Sequence, residues 1–296
     1  MKKLIFKGAA VALVTPMKED GSVNYESLEK LIEYHIKNGT DAIVSCGTTG
    51  ESATLSEKEH SEILKFTVNK VNGRIPVIAG TGSNNTQHAL ELSKNAENLG
   101  CDALLIVTPY YNKTSQKGLI EHYTYIADRV NLPIITYTVP SRTGVNIKPE
   151  THFELSKHPN IVATKEASGN ISDVAKIKAL CKDDLYIYSG NDDQIVPFLS
   201  LGSMGVISVF SNVCPRECHE ITQSFFDGNI EKSQEMFLHY LDLMNMLFCD
   251  VNPIPVKEAL NLMGFDCGKC RLPLTTLSEK NRKELIANLN KYNLQK

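Results

Sequence analysis

Several things are missing from this chain of 296 residues, and each absence removes a class of function. No stretch approaches the about eighteen apolar residues that a membrane span requires, because Lys7 interrupts the apolar run near the N-terminus. With Lys2 and Lys3 alone before that short run, no secretion signal is recognisable, and a cytoplasmic protein is expected. A net charge of -3 offers no electrostatic case for nucleic acid or an anionic membrane surface, so small molecules are the expected partners. There is no low-complexity linker, and no G-x-G-x-x-G follows the first apolar strand, which weakens the case for an open dinucleotide-binding sheet.

Eight cysteines are present, and in a chain without a secretion signal most of them read as reduced, core-filling thiols. Cys267-Gly268-Lys269-Cys270 is a C-x-x-C, but it does not open a helix in a thioredoxin-like unit, and the pair Cys214 and Cys218 lacks zinc-finger spacing. No metal site is expected. Apolar residues make up 42% and charged residues 22%, the composition of an ordinary globular protein. The length suits one large α/β barrel as well as two smaller domains.

Periodicity supplies the architecture. Short β-branched runs recur at Ala10–Thr15, Ala42–Cys46, Pro76–Gly80, Ala103–Thr108, Ile134–Val139, Ile161–Lys165, Leu185–Ser189 and Gly205–Phe210. Between them lie amphipathic segments such as the one carrying Leu28, Leu31, Ile32, His35 and Ile36 on one face of a 3.6-residue period. Gly39, Gly73, Gly100 and Gly202 stand where helices should end. Eight nearly all-apolar strands alternating with helices predict an α/β fold, a (β/α)8 TIM barrel over residues 1–229, with an open doubly wound sheet as the alternative. Residues 230–296 read as three further helices, a C-terminal helical region broken by Asn252-Pro253-Ile254-Pro255 and Leu272-Pro273-Leu274.

One residue stands out on chemical grounds. Lys165 ends the strand Ile161-Val162-Ala163-Thr164-Lys165, and an ammonium among apolar neighbours is costly. If it points inward, desolvation lowers its pKa and leaves a neutral amine able to attack a carbonyl. A lysine at a strand end with its head in solvent is the plainer reading. Chemistry in such a barrel sits at the C-terminal ends of the strands, and these are unusually polar: Gly47-Thr48-Thr49-Gly50-Glu51, Tyr110-Tyr111-Asn112, Tyr137 to Gly144, and Gly190-Asn191-Asp192-Asp193. Tyr137 could equally be a packed core tyrosine, and Thr48 and Thr49 could cap a helix or form an anion nest. Asp192 and Asp193 are adjacent acids with no accompanying histidine cluster, a poor metal site.

In these segments, and in their order along essentially the whole chain, the sequence resembles the dihydrodipicolinate synthase family of pyruvate-dependent class I aldolases, relatives of N-acetylneuraminate lyase. The resemblance implies a Schiff-base lyase with no cofactor other than the covalent adduct on Lys165. Its substrates would be pyruvate and L-aspartate 4-semialdehyde, in the diaminopimelate route to lysine. Tyr137 would pass protons through Thr48 to Tyr111 of a neighbouring subunit, Thr49, Gly190 and Ile207 would line the pyruvate pocket, and Arg142 would hold the carboxylate of the second substrate. The assembly implied is a homo-oligomer, a tetramer built as a dimer of dimers. His60, Asn84, His88 and Tyr110 fall where family members bind a lysine effector, with His88 replacing an acidic residue and Glu57 standing where a histidine is common. Thr138 replaces a usual asparagine and should point away from the pocket. A related aldolase acting on N-acetylneuraminate, and a non-catalytic ligand-binding barrel, are the competing readings; Arg142 disfavours the first and the intact polar set the second.

Overall fold

The computed structural model describes residues 2–295. Eight parallel strands, β1 (Gly8–Ala12), β2 (Ala42–Ser45), β3 (Val77–Gly80), β4 (Ala103–Val107), β5 (Ile134–Thr138), β6 (Ile161–Glu166), β7 (Tyr186–Ser189) and β8 (Gly205–Ser208), pair in sequence order. The last pairs with the first, closing a (β/α)8 barrel and excluding the open sheet. Gly39, Gly73, Gly100 and Gly202 all adopt the left-handed φ expected of helix-ending glycines.

Strand ends depart from the sequence expectation by up to three residues, while the C-terminal ends of β3 and β7 coincide with it. Leu13 to Thr15 continue the apolar run of β1 beyond its ladder; they remain buried, and the Thr15 hydroxyl donates to the Gly50 carbonyl at 2.7 Å. Phe210 likewise leaves β8 and enters a single turn of 3-10 helix. In both places burial persists after strand pairing stops, so hydrophobicity alone overruns the strand.

Alternation along the strands divides the core in two. Ala10, Ala12, Ala42, Val44, Ala103, Leu105, Ile135, Tyr188 and Ile207 fill the barrel interior. The opposite side chains, such as Val11, Ile43, Leu104 and Val206, meet the surrounding helices. Phe6 stacks on Tyr188 with ring centroids 4.2 Å apart, and the Tyr188 hydroxyl donates to the Phe6 carbonyl at 2.7 Å, so the barrel floor is filled.

Three helices follow the barrel, Ile230–Met246, Ile254–Leu262 and Glu279–Lys291. Their buried faces, with Leu243, Met244, Val256, Leu260, Leu285 and Leu289, are continuous with the apolar layer between sheet and helices. No helix among the described residues is long and apolar enough to cross a membrane.

Candidate active site

Strand register alone carries Lys165 into the barrel. Ala163 faces the interior, so the residue two further on does too, and Lys165 pairs across the ladder with Tyr137 of β5 and Tyr188 of β7. The side chain is 6% exposed, and its Nζ lies 4.4 Å from the centroid of the Tyr137 ring. Desolvation lowers its pKa from 10.5 to about 8, with Asp192 acting against the shift and the Arg142 cation adding to it. The plainer reading, a lysine with its head in solvent, does not hold.

Tyr137 is buried beside it, and burial raises the phenol's pKa while Arg142 and the Thr48 hydroxyl oppose the rise. Thr138, the next residue, points outward and donates its hydroxyl to Asn146 Oδ1 at 2.7 Å, as the alternation requires. Glu166 also faces outward from β6, accepting from the Ser168 amide at 3.0 Å. The alternation therefore presents one lysine and one tyrosine, and no carboxylate, from the ends of β5 and β6 to the interior.

The β2 loop turns sharply over the site. Gly50 and Glu51 amides donate back to the Gly47 and Thr48 carbonyls, at 3.1 Å each. The threonine pair caps no helix: the following helix, Glu57–Val71, has Ser56 as its N-cap. Thr49 is buried and its Oγ1 accepts from Asn252 Nδ2 at 3.0 Å. Gly190 follows β7 where space is scarce. A Cβ there would stand 2.6 Å from Ala167 Cβ and 3.1 Å from Lys165 Cε, so glycine leaves room beside the amine. Ile207 lies fully buried inside the barrel on β8. Arg142, in the short helix after β5, is exposed and donates to the Asn252 carbonyl at 3.2 Å.

Three features were not legible in the sequence. Asp192 is not a surface acid: it is buried, its Oδ2 accepts from the Val209 and Phe210 amides at 3.0 and 2.8 Å, and its charge acts on Lys165. Asn252, from the C-terminal helical region, touches both Thr49 and Arg142. Glu51 of the β2 loop forms a fully buried ion pair with Lys257 at 2.7 Å, and its other oxygen accepts from the Arg271 amide at 2.8 Å. An acid just beyond a strand's C-terminal end was the one signal the sequence offered, for Asp192. The other two join residues 110 to 220 positions apart.

A cavity of about 450 Å3 opens from the mouth. Thr48, Val139, Arg142 and Asn252 line one part, and His60, His88, Tyr110 and Leu92 line another. Asn84 is set apart, its carbonyl accepting from Asn112 Nδ2 at 3.1 Å. His60 donates through Nε2 to the Gly80 carbonyl at 2.8 Å, and Nδ1 of His88 lies 3.7 Å from Glu57. Tyr111, at 92% exposure and a left-handed φ, stands outside the buried group within this single chain.

Burial and hydrogen bonding also account for the C-x-x-C. Cys267 is buried beneath a loop held by Asn261, whose Oδ1 accepts from the Cys267 and Gly268 amides, and all eight cysteines are free thiols. Burial pushes the thiols of Cys267 and Cys270 up to about 12, the wrong direction for a reactive thiolate.

Comparison with known proteins gives a consistent result. Residues 5–292 match the Dihydrodipicolinate synthetase family. A 4-hydroxy-tetrahydrodipicolinate synthase of Caldicellulosiruptor saccharolyticus is 58% identical over 290 residues, which span 98% of each chain. The crystal structure of dihydrodipicolinate synthase from Aquifex aeolicus superposes with a TM-score of 0.96 at 45% identity, covering 98% of this chain and 99% of that one. A monomeric dihydrodipicolinate synthase variant superposes equally well, at 44% identity and 98% coverage of both chains. With the motif match along the whole barrel and these likenesses together, the chain belongs to the dihydrodipicolinate synthetase family.

Proposed function

We propose that the chain condenses pyruvate with L-aspartate 4-semialdehyde through a Schiff base on Lys165, the reaction of a 4-hydroxy-tetrahydrodipicolinate synthase. The observation that carries this is the Lys165 amine: buried, lowered in pKa to about 8, and given space by Gly190. Its neutral form attacks the ketone carbon of pyruvate, and loss of water leaves a protonated imine. The iminium withdraws electrons, so a methyl proton of pyruvate departs and an enamine forms. That electrophilic work needs no metal or further cofactor. The enamine carbon adds to the aldehyde, whose oxygen takes a proton to become the 4-hydroxyl. The amino group of the second substrate then attacks the imine carbon, closes the ring, and expels Lys165 as the free amine.

Tyr137 is the proton carrier in this reading. A phenol is almost wholly protonated near neutral pH, and burial holds that proton more tightly, so a relay through the Thr48 hydroxyl is the sounder arrangement. Thr49 and Gly190 hold the pyruvate end, with Ile207 as its wall. Arg142 meets the carboxylate of the semialdehyde with its guanidinium. Tyr111 completes the relay from a second copy of the chain, which is the reason to read the active form as a homo-oligomer, a dimer of dimers. The exposure of Tyr111 supports this. Eight free thiols are in keeping with a reducing, cytoplasmic setting.

The experiment offers pyruvate with borohydride, followed by turnover with pyruvate and either L-aspartate 4-semialdehyde or N-acetylmannosamine. A trapped adduct on Lys165 with turnover of the semialdehyde is expected. Turnover of N-acetylmannosamine alone would transfer the chain to the sialic acid lyases, and absence of any adduct would remove the mechanism.

A further inference from the structure

Asn252 lies between two helices of the C-terminal region, yet its contacts are with the barrel mouth. The side chain is 6% exposed, Nδ2 donates to Thr49 Oγ1 at 3.0 Å, and the backbone carbonyl accepts from Arg142 Nη2 at 3.2 Å. A hydroxyl carries one hydrogen and two lone pairs. Because the amide supplies the hydrogen in this contact, the hydrogen of Thr49 stays available for another acceptor.

The direction of that bond is the stable one. Asn252 Oδ1 is buried without a partner. Turning the amide over would leave both N–H donors of the NH2 group unpartnered, whereas the present orientation leaves the oxygen and one N–H, and an orphaned buried N–H is the rarer of the two. The carboxamide is therefore held with nitrogen towards Thr49, and the Thr49 hydrogen is left free for another acceptor.

We infer that Asn252 is a positioning residue that sets the hydrogen-bond polarity of the pyruvate pocket: by donating to Thr49 it makes the threonine hydroxyl a donor to the ligand's carboxylate. The inference rests on the reading of Thr49 as a pyruvate-binding residue. It explains why a residue outside the barrel is buried against the threonine pair. Through its backbone carbonyl the same residue anchors Arg142, so one position supports the groups assigned to both substrates, one through its side chain and one through its main chain.

The two roles separate under mutation. Asn252→Asp is nearly isosteric, but a carboxylate accepts the Thr49 hydrogen and adds negative charge beside the pyruvate carboxylate. The KM for pyruvate should rise by about tenfold or more, while the KM for the semialdehyde, which depends on the retained carbonyl, stays within about twofold. Asn252→Ala removes the donor without reversing it, and its pyruvate KM should fall between those of wild type and Asn252→Asp. That order, with kcat at saturating pyruvate largely kept, is what a merely structural role does not produce. A pyruvate KM for Asn252→Asp equal to wild type overturns the inference, as does an Asn252→Ala defect larger than that of Asn252→Asp. If Asn252→Asp is too unstable to assay, a cycle of Asn252→Ala and Thr49→Val carries the test: coupling of about fivefold or more in pyruvate KM is expected, and additivity overturns it. A wild-type protein that forms no pyruvate adduct would instead remove the proposed function, so the two failures are distinct.

Discussion

The Lys165 Nζ sits 4.4 Å from the centre of the Tyr137 ring, on a neighbouring strand at the same level of the ladder. A ring face attracts an ammonium by about 1 kcal/mol, whereas the drop from 10.5 to about 8 corresponds to about 3 kcal/mol against it. Desolvation wins, and the pair holds an amine that gives up its proton readily next to a phenol that does not.

Adduct formation should therefore depend on pH through the Lys165 amine. At pH 7 a group with a pKa of about 8 is about a tenth neutral, several hundred times more than an ordinary lysine. The rate of borohydride-dependent trapping should rise with pH and level off above about 8. A rise continuing towards pH 10 would mean that the amine is not perturbed.

The same shift predicts a stability effect. A lysine whose folded pKa lies below its unfolded value binds its proton more readily when unfolded, so the fold loses stability as pH falls from 10.5 through 8. Lys165→Met should abolish activity yet raise stability at pH 7 by about 2–3 kcal/mol in urea unfolding, with the gain vanishing above about pH 10. An inactive variant of lower stability would contradict this.

Tyr137→Phe removes the hydroxyl and leaves the ring under Lys165. Turnover should drop by about a hundredfold, with pyruvate trapping less affected and unfolding nearly unchanged. Unaltered turnover would leave the tyrosine a packing residue.

Crowding beside the amine offers an independent probe. Gly190→Ala would bring a methyl group within 3.1 Å of Lys165 Cε and 2.6 Å of Ala167 Cβ. Trapping by pyruvate should slow by about tenfold or more while circular dichroism stays that of the wild type. Wild-type kinetics would show that the loop yields easily.

L-Lysine should inhibit weakly or not at all. An ε-ammonium leaving water needs an anion; beside the imidazoles of His60 and His88 and the phenol of Tyr110 the cavity wall has the carboxylate of Glu51, which is already paired with Lys257. Glu57 is near, 3.7 Å from His88 Nδ1, but it does not line the cavity. Strong cooperative inhibition below millimolar lysine would show that Glu57 turns inward.

How much of this was readable beforehand depended on distance along the chain. Lys165 was visible because a charge at the end of an apolar strand is locally anomalous, and eight repeats of strand, helix and glycine specified the barrel. Arg142 was identified by resemblance, but its anchor was not, since Asn252 lies 110 positions away. Glu51 looked like the tail of a glycine-flanked turn, and nothing near it in sequence announces Lys257, 206 positions on. Asp192 was weighed only as a metal ligand. Its actual surroundings are backbone amides contributed by the next strand's end, which no pattern of side chains reveals. Strand ends were overrun because burial continues past pairing, as at Leu13 and Phe210.

The ties from Asn252, Lys257 and Arg271 back to Thr49 and Glu51 have a temporal consequence. All eight strands precede residue 209, so a ribosome can release every barrel segment while the chain still lacks the partners of its second loop. Until Asn252 emerges Thr49 has no amide against it, until Lys257 emerges Glu51 has neither of its two donors, and the second donor waits for Arg271. The nascent enzyme would thus have its lysine before it had a finished mouth, and competence would arrive late, with the final helices.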